Sequence, residues 1–162
     1  LEPLHADHAD LVVAWRNHPQ IRPYFFAGPA FTREGQLGWT QRQRARDDDF
    51  TYVIRDAGNT AVGMAAIYDL QPETASAEFG RILVTPDARG HGHAAAAIDA
   101  LRILAFERLG LRLLYACCRI ENLRIHAILR KAGFQELPGV RSTEGGEAML
   151  RFELHAPDPA PA

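Results

Sequence analysis

Cysteine is nearly absent from this 162-residue chain: there are two, Cys117 and Cys118, side by side. Neighbours in a strand point to opposite faces, so a bridge between them is disfavoured and a reducing compartment, the cytoplasm, is expected. Also missing is any apolar run near the roughly 18 residues that cross a bilayer. No secretory signal precedes the first helix, so no membrane association is expected. The chain opens at Leu1 in place of Met, and a few further upstream residues are expected. Neither sign of charge dominates: 18 lysines and arginines face 20 aspartates and glutamates, a net of -2. That removes the basic field that nucleic-acid binders carry. Internal repeats, a domain linker and metal-ligand spacing are absent too. One domain is expected over residues 1–155, large enough to fold without a disulfide or metal staple, with a disordered Pro/Ala tail at 156–162.

What the chain has in quantity is patterned apolar sequence. Residues 7–17 place Leu11, Ala14 and Trp15 at helical spacing, and Thr32 caps a second helix carrying Leu37, Trp39 and Gln43. Between them Pro19, Pro23, Gly28 and Pro29 break residues 20–31 into a loop rich in aromatics: Tyr24, Phe25, Phe26 and Phe31. Three strands follow, at 50–55, 61–70 and 75–84, joined by turns at 56–59 and 71–74. Residues 94–109 read as a helix apolar nearly all round, hence mostly buried, with its alanines packed tightly on the sheet. A strand at 111–118, a helix at 122–132 stopped by Gly133, and a hairpin of 134–141 with 147–154 complete the chain. The order ααβββαβαββ predicts an α/β (α+β) domain: one mixed, mostly antiparallel central sheet flanked by helices.

The most informative stretch joins the third strand to the long helix. It runs Ile82, Leu83, Val84, Thr85, Pro86, then Arg89, Gly90, His91, Gly92, His93, Ala94 and Ala95. Main-chain N–H groups of such a turn, with a helix N-terminus behind them, form a seat for an anion, best a pyrophosphate. Gly90, Gly92 and Ala95 formally fit a dinucleotide fingerprint. That reading wants a ribose-binding acid about 20 residues on, where Gly110 and Leu111 stand. A Walker loop needs Gly-Lys-Ser/Thr, which is missing. On these residues alone, a plain strand–turn–helix junction with steric glycines stays open.

Arg89 to Ala94 also matches the pattern Arg/Gln-x-x-Gly-x-Gly/Ala, with Asn122 some 30 residues on and then Gly133 and Phe134. The combination resembles the GNAT superfamily of acyl-CoA-dependent N-acetyltransferases, in element order over about residues 11–154 and specifically over 78–134. The resemblance implies that acetyl-CoA, or another acyl-CoA, lays its pyrophosphate on the amides from Gly90 to Ala95, beside Arg89. It implies that the pantetheine arm pairs with Ile82, Leu83 and Val84 like an added strand, and that Asn122 contacts the cofactor. His91 and His93 stand where many relatives carry a basic and an apolar residue. As imidazoles they either donate to phosphate oxygens or face solvent.

Making an amide from a thioester needs an unprotonated amine, a stabilised oxyanion and a protonated leaving thiolate. At neutral pH, freeing a lysine-like amine costs about 4.6 kcal/mol, whereas an α-amine near pKa 7.8 costs about 1 kcal/mol. Glu78, on the strand entering the glycine turn, is the general-base candidate, since burial beside an aromatic would raise its pKa. A solvated outward-facing glutamate is the alternative. Asp69 either meets the acceptor or caps the turn. Many superfamily members carry a Tyr acid seven residues after the Asn; that position is Leu129. His126 is expected on the helix surface, and Cys117 and Cys118 as sheet packing.

Trp15, Arg16 and Asn17, followed by Ile21 and Arg22, resemble the start of the subgroup that acetylates protein N-termini and amino-sugar nucleotides. There the first two helices and their loop line the acceptor pocket. Trp15, Arg16, Tyr24, Phe25, Phe26 and Asp69 are therefore the expected acceptor contacts. The aromatics either stack on a sugar or base or anchor the loop in the core. Arg16 either meets a phosphate or carboxylate or sits solvated. The expected function is N-acetyl transfer by direct attack in a ternary complex, onto a small-molecule primary amine, an amino-sugar nucleotide before a protein N-terminus. A donor borne on a carrier-protein pantetheine is the second reading and a non-catalytic acyl-CoA sensor the third; a homodimer stays open.

Overall fold

The computed structural model describes residues 1–25, 28–139, 141–142 and 148–157. A two-residue strand β1 (Glu2–Pro3) leads through a 3-10 turn to helix α1 (Ala9–Asn17). Thr32 caps α2 (Arg33–Arg44), its Oγ1 accepting from the Gly35 amide at 3.1 Å. Strands β2 (Asp49–Arg55), β3 (Ala61–Gln71) and β4 (Ser76–Val84) follow, then α3 (His93–Ile103) with a π-helical turn at Leu104–Arg108. The chain continues as β5 (Leu113–Arg119), α4 (Leu123–Lys131), β6 (Gln135–Glu136), β7 (Arg141–Ser142) and β8 (Ala148–His155).

Among the described residues the strands form one sheet in the order β1-β2-β3-β4-β5-β8-β6, with β7 also on β8. Every pairing is antiparallel except β4 with β5. The expected mixed, mostly antiparallel sheet is therefore present, with β1 as an extra edge too short to show alternation. Of the expected tail at 156–162, Ala156 is tied by its amide to the Arg112 carbonyl at 2.9 Å; residues 158–162 lie outside the described set.

Alternation along the strands feeds two cores, one on each face. Ala77, Phe79, Ile98, Leu101, Leu114, Leu129 and Phe152 pack between the sheet and helices α3 and α4. Val12, Trp15, Ile21, Val53, Met64 and Leu83 pack on the opposite face beneath α1. Helix α3 corrects the sequence reading. Only the stripe of Ala97, Ile98, Leu101 and Ala105 is buried, while Ala95, Ala96, Ala100 and Ile103 are exposed. A helix lying on one sheet buries one face, however apolar the others are.

Two bulges shape β3 and β4. Between the pairs Met64–Leu83 and Ala66–Gly80, β4 carries one residue too many, and Arg81 there has φ 52°. Between Tyr68–Glu78 and Gln71–Ser76 the extra residue is on β3, and Asp69 has φ 52°. A bulge bends its strand and re-aims the neighbouring side chains. Gly63 lets the two strands close: a Cβ there would sit 2.2 Å from the Leu83 carbonyl oxygen. Replacing Gly63 by Ala is expected to lower unfolding free energy by about 2 kcal/mol or more through backbone displacement. Urea denaturation should show this as a lower midpoint.

Candidate active site

Strands β4 and β5 pair over only three residues, Ser76 with Leu113, Ala77 with Leu114 and Glu78 with Tyr115. Beyond that point β4 runs on to Val84 and β5 to Arg119 without a ladder between them. Along this stretch the Leu83 carbonyl points at β3, so the alternate residues Ile82 and Val84 turn their main-chain groups to the parted edge, where an extended, amide-bearing ligand could pair. At the open end stands the glycine turn. Gly90 and Gly92 have φ 83° and 82°, and Gly92 is the N-cap of α3. None of the amides of residues 90–95 donates to another described residue; the first N–H of this run to find an acceptor is Ala96, on the Gly92 carbonyl at 3.0 Å. Unclaimed N–H groups at the head of an eleven-residue helix make an anion seat. The residues present therefore fit a ligand with a pyrophosphate at one end and an amide-bearing arm.

Arg89 and His91 belong to the turn itself and His93 is the first residue of α3, whereas Asn122 heads α4. Arg89 donates to the Val84 carbonyl at 3.3 Å and to Gln20 Oε1 at 3.1 Å, tying the turn to the loop after α1. Burial first, and the like charge of Arg124 in the first turn of α4 second, lower the Arg89 pKa. Arg124 escaped the sequence reading. His91 is exposed and His93 half-buried, their rings 6.1 Å apart. The Asn122 side chain caps α4, accepting from the Ile125 amide at 3.4 Å.

Glu78 lies at the base of the parting, on the sheet face opposite the buried Ala77 and Phe79. Tyr68 Oη donates to Glu78 Oε1 at 2.9 Å. Burial raises the Glu78 pKa against the opposing effects of the Tyr68 hydrogen bond and the Arg81 and Arg151 charges. The Arg81 guanidinium stacks 3.9 Å from the Tyr68 ring centroid. It also donates to both Asp49 carboxylate oxygens, at 2.8 and 2.6 Å, and to Thr51 Oγ1 at 2.8 Å. On the β5 side Tyr115 sits beside Glu78, with the Arg151 guanidinium 4.0 Å from its ring centroid and Arg151 held by Glu153 at 2.7 Å. Burial and the Glu78 charge raise the Tyr115 pKa. Tyr68, Arg81 and Tyr115 were missed because strand pairing brings them to Glu78, Tyr68 across the bulged β3–β4 ladder and Tyr115 across the β4–β5 pair.

The expected acceptor residues separate. Arg16 is buried, its guanidinium within 5.4 Å of the Phe25, Phe31 and Trp39 ring centroids. Phe25 packs on the second core and Tyr24 is exposed. Trp15, 7 % exposed, is built into that core. Phe26 lies outside the described residues. Asp69 accepts from Arg46 at 2.6 Å. His126 corrects the expectation of a surface histidine: it is 2 % exposed, with Nε2 3.0 Å from the Arg119 carbonyl oxygen and its ring against Phe152. Leu129 is fully buried in the first core. Cys117 and Cys118 form no disulfide, and burial pushes the Cys118 thiol up to about 12, away from nucleophile chemistry. A cavity of about 510 Å³ lined by His5, Thr40 and Arg44 touches none of these groups.

Among the described residues no helix is long and apolar enough to cross a membrane and no side-chain cluster could hold a metal ion. No curated protein matches the chain in sequence. In three dimensions it is similar to a spermidine N-acetyltransferase from Vibrio cholerae in complex with CoA and spermine: TM-score 0.83, 19% identity, over 95% of this chain and 93% of that one. A dodecameric form of the spermidine N-acetyltransferase from the same organism, in an intermediate state, superposes with TM-score 0.76 at 16% identity, over 95% and 91%. At these identities the likeness carries the fold. The sequence-level match is to the acetyltransferase (GNAT) domain family, over residues 1–135. With a parted β4–β5 pair, an open glycine turn and that match in hand, the chain belongs to the GNAT family of N-acetyltransferases, whose acyl donor is acetyl-CoA.

Proposed function

We propose that the chain transfers an acetyl group to the primary amine of a small molecule by direct attack in a ternary complex, with Glu78 as the proton acceptor. The observation that carries this reading is a half-buried carboxyl with a raised pKa at the base of the strand parting, beside unclaimed turn amides at its mouth. Acetyl-CoA supplies the activated acyl carbonyl. The C–N bond forms as the C–S bond breaks, the amine proton goes to Glu78, and the departing thiolate takes a proton from solvent, to which Glu78 later returns the one it accepted. A thiol with a pKa near 8.5 leaves with little help, which suits a site where Leu129 replaces the usual Tyr. Tyr68 orients the Glu78 carboxyl, and Arg81 orients Tyr68.

The resemblance in sequence over Trp15, Arg16, Asn17, Ile21 and Arg22 is what favours an amino-sugar nucleotide as acceptor. The fold neighbours acting on spermidine favour a second reading, a polyamine acceptor of opposite charge. Donation from a carrier-protein pantetheine and acyl-CoA sensing without turnover are separated from these by assay. Thiol release only with an acylated carrier protein establishes the former, and tight acetyl-CoA binding with no release across sugars, polyamines, amino acids and peptides establishes the latter.

Raised by burial, the Glu78 pKa places the acid limb of kcat/KM above the ordinary glutamate range. Glu78→Gln should abolish that limb and lower kcat/KM by about 10²- to 10⁴-fold. Tyr68→Phe removes a hydrogen bond that favours the ionised carboxylate, so its limb should move to higher pH. A Glu78→Gln enzyme with wild-type turnover at every pH removes Glu78 as base. At the other end of the groove, Gly92→Ala puts a Cβ on a left-handed residue. Isothermal titration should show an acetyl-CoA Kd about 5- to 30-fold weaker as the turn relaxes and its amides swing out of line.

A further inference from the structure

Arg16 is 8 % exposed and its Nε is sealed without a hydrogen-bond partner. Its guanidinium lies 4.9 Å from the Trp39 ring centroid, 5.2 Å from Phe31 and 5.4 Å from Phe25. Arg81 reaches the same Trp39 ring, 5.1 Å from its centroid. The two cations differ in one respect. Arg81 is neutralised by the buried Asp49 carboxylate, whereas Arg16 has no acidic neighbour among the described residues. Burial first, and the charge of Arg81 second, depress its pKa to about 10, so it stays a cation at neutral pH. Buried charges are ordinarily paired, because desolvation is otherwise uncompensated. Ring faces soften that cost without neutralising the charge.

The cage is firmly built. Asn17 Nδ2 donates to the Phe31 carbonyl at 2.8 Å, and the Phe31 amide returns a bond to Asn17 Oδ1 at 2.9 Å. Arg22 donates to the Gly28 carbonyl at 2.9 Å. The cage also connects to the reaction centre through contacts already described: Arg16 to Trp39, Trp39 to Arg81, Arg81 to Tyr68 and Tyr68 to Glu78. A preorganised, unneutralised guanidinium on the face that carries Glu78 lacks one thing, an oxyanion. We propose that Arg16 is the recognition group for an anionic oxygen function, carboxylate or phosphate, on the acceptor whose amine meets Glu78. This rests on the reading of the α1–α2 face as the acceptor side. It separates the two acceptor readings, since a polyamine carries no such group and brings further positive charge.

The test reads binding without turnover, so it stands apart from the transfer reaction. Protein saturated with CoA, which occupies the glycine turn, is titrated with inorganic phosphate and with acetate, against chloride as control. The chain has two tryptophans, Trp15 and Trp39, so two indole N–H resonances are followed, assigned by a Trp15→Phe variant. The Trp39 resonance should move saturably with phosphate or acetate and not with chloride. Response to phosphate alone assigns a phosphoryl group, and to acetate alone a carboxylate. Arg16→Gln should weaken that binding by about 10- to 100-fold, with Arg16→Lys recovering part of it. No saturable movement of Trp39 in the wild-type protein, or equal affinity in a folded Arg16→Gln variant, overturns the proposal. So does thiol release in which spermidine outcompetes both glucosamine and glucosamine 6-phosphate.

Discussion

The register between β4 and β5 stops after the Glu78–Tyr115 pair, and the rest of the site depends on that stop. Parallel strands that stayed paired would satisfy their own edges and leave nothing for a ligand. Here the bulge at Arg81 bends β4 just past the last shared pair. The bend sets the open edge of Ile82 and Val84 leading toward the glycine turn. It also leaves Glu78 at the closed end of the groove and the glycine turn at the open end. A long ligand with an acyl thioester at one tip and phosphates further along matches that polarity.

Arg81 holds the arrangement from beneath. Removing one partner of a buried ion pair costs about 3–5 kcal/mol, while a desolvated cation–π contact is worth about 2 kcal/mol. The Asp49 pairing therefore decides where the Arg81 guanidinium sits, and Tyr68 is placed against it. Tyr68 in turn presents its hydroxyl to Glu78. Backbone strain at a non-glycine residue with φ 52° is stabilised by this pair, and the result is a fixed carboxyl orientation.

Most elements were legible from the chain alone, because period-2 and period-3.6 patterns and the breakers Gly110, Gly133 and Pro86 are local. The glycine turn was legible for the same reason: its residues are contiguous. Helix α3 was misjudged since alanine is apolar enough to read as core yet small enough to sit in water without penalty. The network around Glu78 was not legible beyond Glu78 itself. Tyr68, Arg81, Asp49 and Arg151 come together through strand order and two bulges, and neither leaves a mark in local sequence. Arg16 was visible as a residue, but its burial in an aromatic cage depends on Phe31 folding back onto Asn17.

Amide hydrogen exchange with and without acetyl-CoA tests the central claim most directly. Binding along the parted strand and on the turn predicts slowed exchange at residues 90–95 and at the Ile82 and Val84 amides on the open edge of β4. The antiparallel ladder of β5 with β8 should be unchanged. Acetyl-CoA binding that leaves both the turn and that edge as exposed as before would contradict the account.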